Sequence, residues 1–84
     1  MNHIKVLFFA TLRDKAGVRS SELDLQTGAT IADLKTRLVA EHPGLGGLME
    51  HCLASINHEY RFDETEILAD AEVAFFPPVS GGKN

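Results

Sequence analysis

Two apolar segments, one towards each end of the chain, constrain the fold most strongly. Ile4–Ala10 contains a single charged residue, and Glu72–Phe76 has one charged residue followed by four apolar ones. Segments of this kind are typical of strands that other elements cover on both faces. We therefore predict that the first and last strands are neighbours in the centre of one sheet. A length of 84 residues allows one small domain.

The stretch after the first strand predicts one hairpin strand and one long helix. Arg13–Gly17 is a polar helical turn closed by glycine, and Glu22–Leu25 alternates as a hairpin strand does. Thr30 is a favourable N-cap, and His42–Gly44 should end the helix. Helical spacing predicts four buried residues in and after this helix, Ile31, Leu34, Leu38 and Leu45. The same spacing predicts that four polar residues face water: Asp33, Lys35, Thr36 and Arg37.

The second half of the chain predicts the remaining strands. Leu53–Ile56 is apolar enough for a buried strand, and Asn57 can take the positive φ of a turn after it. Tyr60 and Phe62 then form a short return strand, and Ile67–Leu68 packs before the last strand. The resulting order, β-β-α-β-(β)-β, indicates an α+β domain in which one helix covers one face of the sheet.

The other face of this sheet should carry an apolar patch. Strand alternation places Leu7, Phe9 and Phe76 away from the helix. An apolar patch on an uncovered face is usually a docking surface. We also expect the isolated protein to self-associate weakly through it.

Composition excludes several function classes. Twelve acidic residues against eight basic ones give a formal net charge of -4, which argues against nucleic acid as a partner. The sequence has no run of ~18 apolar residues and no signal-peptide pattern at its start, so we expect a cytoplasmic protein without a membrane partner. The single cysteine, Cys52, excludes a disulfide framework and is expected to be a buried core residue.

The body of the chain shows no pattern that indicates an active site. No two histidines have the spacing of a helical metal site, so we predict no metal. The acidic residues Asp63, Glu64 and Glu66 are spaced as in a solvated loop. The four histidines are His3, His42, His51 and His58.

The end of the chain differs from the body. Two prolines, Pro77 and Pro78, should end the sheet at Phe76, because proline cannot donate a ladder hydrogen bond. We therefore divide the chain into a domain over 1–76 and an extended tail over 77–84. Gly81 and Gly82 lack side chains, so the tail could thread a narrow channel, and a terminal glycine carboxylate would be open to adenylation. A frayed end without a role is the alternative.

Several segments together carry a family resemblance. The segments are Ile4–Ala10, Leu12–Asp14, Ala16–Gly17, Gly28–Thr30 and Glu72–Gly82, with Asn57 in a turn before an aromatic residue. They resemble the MoaD/ThiS family of sulfur carriers, in its branch of molybdopterin synthase small subunits. The resemblance covers residues 4 to 82. It implies a β-grasp, ubiquitin-like fold, with a mixed sheet packed on one main helix and a flexible C-terminal Gly-Gly tail.

The resemblance also implies a function in which the chain is not itself catalytic. An adenylating enzyme related to ubiquitin-activating enzymes would use ATP to activate Gly82, and a sulfur donor system would convert it to a thiocarboxylate. The tail would then enter the large subunit of molybdopterin synthase and donate sulfur to precursor Z, a cyclic pyranopterin monophosphate, in molybdenum cofactor biosynthesis. In the family two small and two large subunits form a heterotetramer. No cofactor is expected to be bound by the chain itself.

Residue by residue, the resemblance assigns two groups of positions. Gly82 would bear the thiocarboxylate, and Gly81 would keep the tail slim in the channel. Partner-binding residues would lie on the open face and along the start of the tail: Phe9, Arg13, Tyr60, Phe76, Pro77, Pro78 and Val79.

Two departures from the family pattern leave alternatives open. Lys83 and Asn84 follow Gly82, so either a peptidase removes them, or they are an addition to the natural chain, or this copy carries no sulfur. Ala71 stands where the family usually has glycine, which would strain the turn if its φ is positive. The competing functions are a ubiquitin-like protein modifier, a sulfur carrier for thiamine, tRNA thiolation or cysteine synthesis, and a purely structural domain.

Overall fold

The computed structural model describes residues 1–78, which form one five-stranded mixed sheet and one main helix. The strands lie in the order β2-β1-β5-β3-β4. Central strands β1 and β5 are parallel, and the other neighbours are antiparallel. The strands are β1 Asn2–Phe8, β2 Ser20–Leu25, β3 Leu53–Ile56, β4 Glu59–Arg61 and β5 Glu72–Phe76. The helices are α1 Thr11–Ala16 and α2 Ile31–Glu41, with single 3₁₀ turns at Pro43–Leu45 and Met49–His51.

The predicted central position of the first and last strands is confirmed. Val6 lies beside Val73 and Phe8 beside Phe75 in the parallel register. All four side chains are buried in the core beneath α2. The end of β5 therefore lies beside the end of β1, and the chain leaves the sheet there.

Helix α2 begins where its capping residues predict. Thr30 Oγ1 accepts a hydrogen bond from Asp33 N at 3.3 Å, and Asp33 Oδ2 accepts one from Thr30 N at 3.0 Å. The helix ends at Glu41, before Pro43. Leu45 is buried as predicted, but it belongs to the following 3₁₀ turn.

Lys35 does not face water as the helical pattern predicted. Its side chain is nearly buried, with Nζ 2.8 Å from Asp63 Oδ1 and 3.3 Å from the carbonyl oxygen of Cys52. The aliphatic stem covers apolar surface while the ammonium group reaches partners on other segments. Asp63, expected in a solvated loop, is thus half of an ion pair.

Three boundaries in the second half of the chain also differ from expectation. Strand β4 ends at Arg61, so Phe62 lies outside it and is 81% exposed. Leu68 is 64% exposed, whereas Ile67 is fully buried. In the turn before β5 the residue with a left-handed backbone is Asp70, with φ 62°. Ala71 does not have a positive φ, so the strain considered for it does not occur.

The corner between β1 and α1 holds a strained alanine. Strand β1 ends at Phe8, not at Ala10 as predicted, because Ala10 has φ 53° and ψ −129°. This region is accessible to glycine and costly for any residue with a Cβ. The turn is nevertheless well bonded, with Arg13 N donating to Ala10 O at 3.1 Å.

Replacing Ala10 by glycine should therefore stabilise the fold. We expect Ala10→Gly to raise the free energy of unfolding by about 1 kcal/mol, which corresponds to roughly 4–8 °C in Tm for a domain of this size. Thermal unfolding followed by circular dichroism measures this. Ala16→Gly is the matched control, since Ala16 lies in helix α1 and its replacement should lower stability. A Tm for Ala10→Gly below that of the native chain would show that Ala10 is not strained.

A histidine clamp, formed by His3, Glu22 and Asp24, joins β1 to the edge strand β2 at the other end of β1. The exposed His3 has Nε2 2.8 Å from Glu22 Oε1 and Nδ1 2.9 Å from Asp24 Oδ1. These hydrogen bonds, to Glu22 first and then Asp24, raise the pKa of His3 above its ordinary value of 6.5.

The clamp predicts a pH dependence of stability. Since the folded pKa lies above the unfolded one, the stabilisation is fully present below about pH 6.5 and is lost as the pH rises through the folded pKa. We expect the Tm difference between the native chain and His3→Gln to be larger at pH 5.5 than at pH 9. An equal difference at both values would show that the clamp is inert.

Candidate docking surface at the start of the tail

The sheet face opposite α2 is open, and its side chains follow from the strand register. Leu7 lies beside Ala74, Ala74 beside Ser55, and Ser55 beside Tyr60, so this row crosses four strands. Since side chains two residues apart share a face, Phe76 lies on the same face as Ala74.

Three aromatic rings that the family resemblance assigned to partner binding lie together on this face. The rings of Phe9 and Phe76 are stacked, with centroids 4.8 Å apart and planes at 11°. The ring of Tyr60 is tilted against Phe76, with centroids 6.0 Å apart. Phe9 is 42% exposed and Tyr60 is 68% exposed, while Phe76 is half-buried between them. We call Phe9, Tyr60 and Phe76 the aromatic cluster.

The aromatic cluster lies where the chain leaves the sheet. Pro77, half-buried, directly follows Phe76, and Pro78 is exposed. Phe9 N donates to Phe75 O at 3.2 Å, which ties the end of β1 to the last strand. Any protein that contacts the cluster is therefore adjacent to the start of the tail. The assigned residues Val79, Gly81 and Gly82, like Lys83 and Asn84, lie outside the described residues.

Arg13 is placed near this surface but not in it. It is exposed on α1, which begins two residues after Phe9, and Leu12 N of this helix donates to Phe9 O at 3.1 Å. A polar contact from Arg13 to a partner stays a prediction.

The structure adds two residues that the sequence analysis missed. Leu53 lies beside Phe76 in the register and is 44% exposed, although Leu53–Ile56 was expected to be buried throughout. Phe62 follows β4, is the most exposed of the phenylalanines and lines one cavity together with Leu53 and Tyr60. Alternation from the buried Ala54 would have placed Leu53 on the open face. The surface is therefore wider than the three aromatic residues.

The segment that carries Phe62 is fixed to α2. The first free N–H groups of the helix bind its carbonyls, with Ala32 N to Asp63 O at 2.9 Å and Ile31 N to Thr65 O at 3.0 Å. The Lys35–Asp63 ion pair adds a side-chain contact. This edge of the surface is thus held in place by the core helix.

Other chemistry is sparse in the part of the chain that the structure describes. Residues 1–78 contain no cluster of histidine, cysteine and acidic residues that could hold a metal ion. Within the same range no helix has the length and apolarity needed to cross a membrane. Cys52 is buried as predicted, and its burial raises the pKa of the thiol, so it is poorly suited to act as a nucleophile.

Comparison with known proteins gives consistent results. The sequence profile of the ThiS family matches residues 6–82. A molybdopterin synthase sulfur carrier subunit from Chlamydomonas reinhardtii is 44% identical over 81 residues, covering 94% of this chain and 98% of that protein. The crystal structure of small archaeal modifier protein 1 from Haloferax volcanii has a TM-score of 0.82 and 32% identity, and the match covers 94% of this chain and 100% of that one.

A more distant structure supports the fold alone. A ubiquitin from Caldiarchaeum subterraneum is 15% identical with a TM-score of 0.64, and the match covers 96% of this chain and 98% of that one. The mixed sheet on one main helix is thus the ubiquitin-like β-grasp that the resemblance implied, and the chain belongs to the ThiS family.

Proposed function

We propose that this chain is the sulfur carrier subunit of a molybdopterin synthase. The observation that carries the proposal is the 44% identity to such a subunit over nearly the whole of both chains. The aromatic cluster at the start of the tail supports it, because a carrier must dock while its terminus reaches a distant site. Aromatic side chains are the ones that most often anchor interfaces.

The first step is activation of the terminus. A peptidase removes Lys83 and Asn84, which frees the carboxylate of Gly82. An adenylating enzyme of the ubiquitin-activating type joins this carboxylate to AMP from ATP and releases pyrophosphate. A sulfur donor system then displaces AMP and leaves a thiocarboxylate on Gly82.

The second step is sulfur transfer inside the large subunit. The aromatic cluster docks on the large subunit, and Pro77, Pro78 and Val79 direct the tail into its channel. The channel is narrow at Gly81, which needs no room for a side chain. The thiocarboxylate sulfur, a soft nucleophile, then attacks precursor Z and displaces an oxygen leaving group, which gives a thioester between Gly82 and the pterin. Water cleaves this thioester, so the sulfur stays on the product and Gly82 returns to a carboxylate. The catalytic side chains belong to the large subunit.

Genetic complementation tests this function. The chain is expressed in cells that lack their own molybdopterin synthase small subunit, and molybdopterin content is measured. We expect the native chain to restore molybdopterin and a variant lacking Gly82 to restore none, at equal protein levels. Restoration of molybdopterin by the variant that lacks Gly82 would contradict the proposal. So would failure of a chain that already ends at Gly82 to restore molybdopterin.

A ubiquitin-like protein modifier is the second candidate. The similarity to small archaeal modifier protein 1, at 32% identity over its full length, favours it specifically. The same activation of Gly82 would then end in an amide bond to a lysine of another protein. Gly82-dependent conjugates of higher mass in cell extracts would support this function, and restored molybdopterin without conjugates would exclude it as the main one.

A further inference from the structure

We propose that two copies of this chain pair through β4, as antiparallel edge strands related by a two-fold axis at Tyr60. Strand β4 is an edge of the sheet, since within residues 1–78 it pairs only with β3. An exposed edge strand presents unpaired N–H and C=O groups to any strand that can match it. The partner proposed here is a second copy of the same strand.

The alternation of hydrogen bonds along β4 leaves the backbone groups of Tyr60 available for this pairing. Asn57 and His58 have φ values of 50° and 74°, which makes them the two central residues of a tight hairpin turn. Such a turn closes on a hydrogen-bonded pair, here Ile56 and Glu59. Since bonding alternates along an antiparallel pair, the N–H and C=O of Tyr60 point away from β3. Two copies can therefore exchange both hydrogen bonds between their Tyr60 residues.

The charges on β4 match in this pairing. With the axis at Tyr60, Glu59 of each copy lies opposite Arg61 of the other. Both side chains are exposed, and within one copy they already form an ion pair with each other. Opposite charges directly across an antiparallel pair are favourable, and the two-fold axis makes this contact twice.

The apolar surface is continuous across the same axis. Tyr60 lies on the open face and is 68% exposed, next to Phe76. In the pair, the two Tyr60 rings become neighbours on one face of a ten-stranded sheet. The aromatic clusters of the two copies then join into one apolar row.

The opposite edge of the sheet is unsuited to the same pairing. In β2 the backbone N–H and C=O groups of Ser20, Glu22 and Asp24 point away from β1. The residues between them, such as Leu23, hydrogen-bond to β1 instead. Pairing two copies about Glu22 would set one carboxylate against another. Arg37 Nη1 also donates to the outward carbonyl of Asp24 at 3.4 Å. The carboxylate of Glu22 and the Arg37 contact at Asp24 therefore disfavour pairing along β2.

Sedimentation equilibrium of the full chain tests the pairing with two charge reversals. Glu59→Arg places arginine opposite arginine at both contacts, and Arg61→Glu places glutamate opposite glutamate. Each variant alone should raise the dissociation constant of the dimer by about tenfold or more. An equimolar mixture of the two variants restores opposite charges at both contacts, so it should associate at least as well as the native chain.

The outcomes separate this pairing from other forms of self-association. Association of the native chain, its loss in each variant and its recovery in the mixture together support the β4 pair, because they require the charges at 59 and 61 to lie opposite each other. Equal association of the native chain and both variants would overturn the pairing and indicate contact through the open face instead. A native chain that stays monomeric would also overturn it. None of these results depends on sulfur transfer, so the proposed function is tested separately.

Discussion

A chain that ends at Gly82 should be adenylated, whereas the 84-residue chain and a chain that ends at Gly81 should not. Adenylation needs a free carboxylate at the position the activating enzyme reaches. In the 84-residue chain the carbonyl of Gly82 is bonded to Lys83. In the chain ending at Gly81 the carboxylate falls one residue short, about 3.3–3.6 Å. Since a misplacement of ~1 Å can cost about 100-fold in rate, we expect at least that loss.

Pyrophosphate exchange with the purified activating enzyme measures this reaction. All three chains retain residues 1–78 and should therefore show the same Tm, which serves as the control for folding. Intact mass after the assay verifies that Lys83 and Asn84 are still present where they should be. Full exchange by the 84-residue chain, with its mass unchanged, would mean that Gly82 is not the activated residue.

The sequence predicts the sheet well where side-chain alternation decides burial. Ile4, Val6 and Phe8 face the core and Phe9 faces outward, because the period of a strand is two residues and one face is covered. The central pairing of β1 and β5 follows from their apolar character in the same way. Two members of the aromatic cluster, Phe9 and Phe76, were accessible to this reasoning because both lie on the open face by parity, whereas Tyr60 was assigned only by the family resemblance.

The errors arise where a contact comes from a distant segment. The helical pattern assigns Lys35 to solvent because it considers α2 alone, but Asp63, from another segment, supplies the partner. The apolar character of Leu53–Ile56 predicts a uniformly buried strand, but β3 lies next to the short edge strand β4 and is covered on one face only, so Leu53 is exposed.

The corner at Ala10 shows a different limit of sequence reasoning. Alanine fits a strand, so nothing in Ile4–Ala10 marks its last residue as a turn. The positive φ occurs where the chain turns between the end of β1 at Phe8 and the start of α1 at Thr11, and this turn brings the fully buried Leu12 into the core. Tertiary packing thus overrides the local preference of alanine.

Replacing Phe9 by alanine should weaken binding to the large subunit strongly while the fold stays intact. The ring is 42% exposed and stacked on Phe76, so its removal exposes the centre of the aromatic cluster without opening a cavity in the core. Aromatic anchors at the centre of interfaces contribute ~2 kcal/mol or more, which corresponds to a roughly 30-fold higher Kd. Titration calorimetry with the large subunit gives the Kd of both chains.

Leu68→Ala is the matched control for this result. Leu68 is 64% exposed, but it follows Ile67, whose carbonyl accepts a hydrogen bond from the Asn2 side chain at 3.3 Å. It therefore lies near the start of β1, at the end of the sheet opposite Phe9. Loss of an exposed apolar side chain there should leave the Kd unchanged within about twofold, since isolated contacts at a rim contribute little. If Leu68→Ala weakened binding as much as Phe9→Ala, or if Phe9→Ala bound normally, the large subunit would have to dock on another surface.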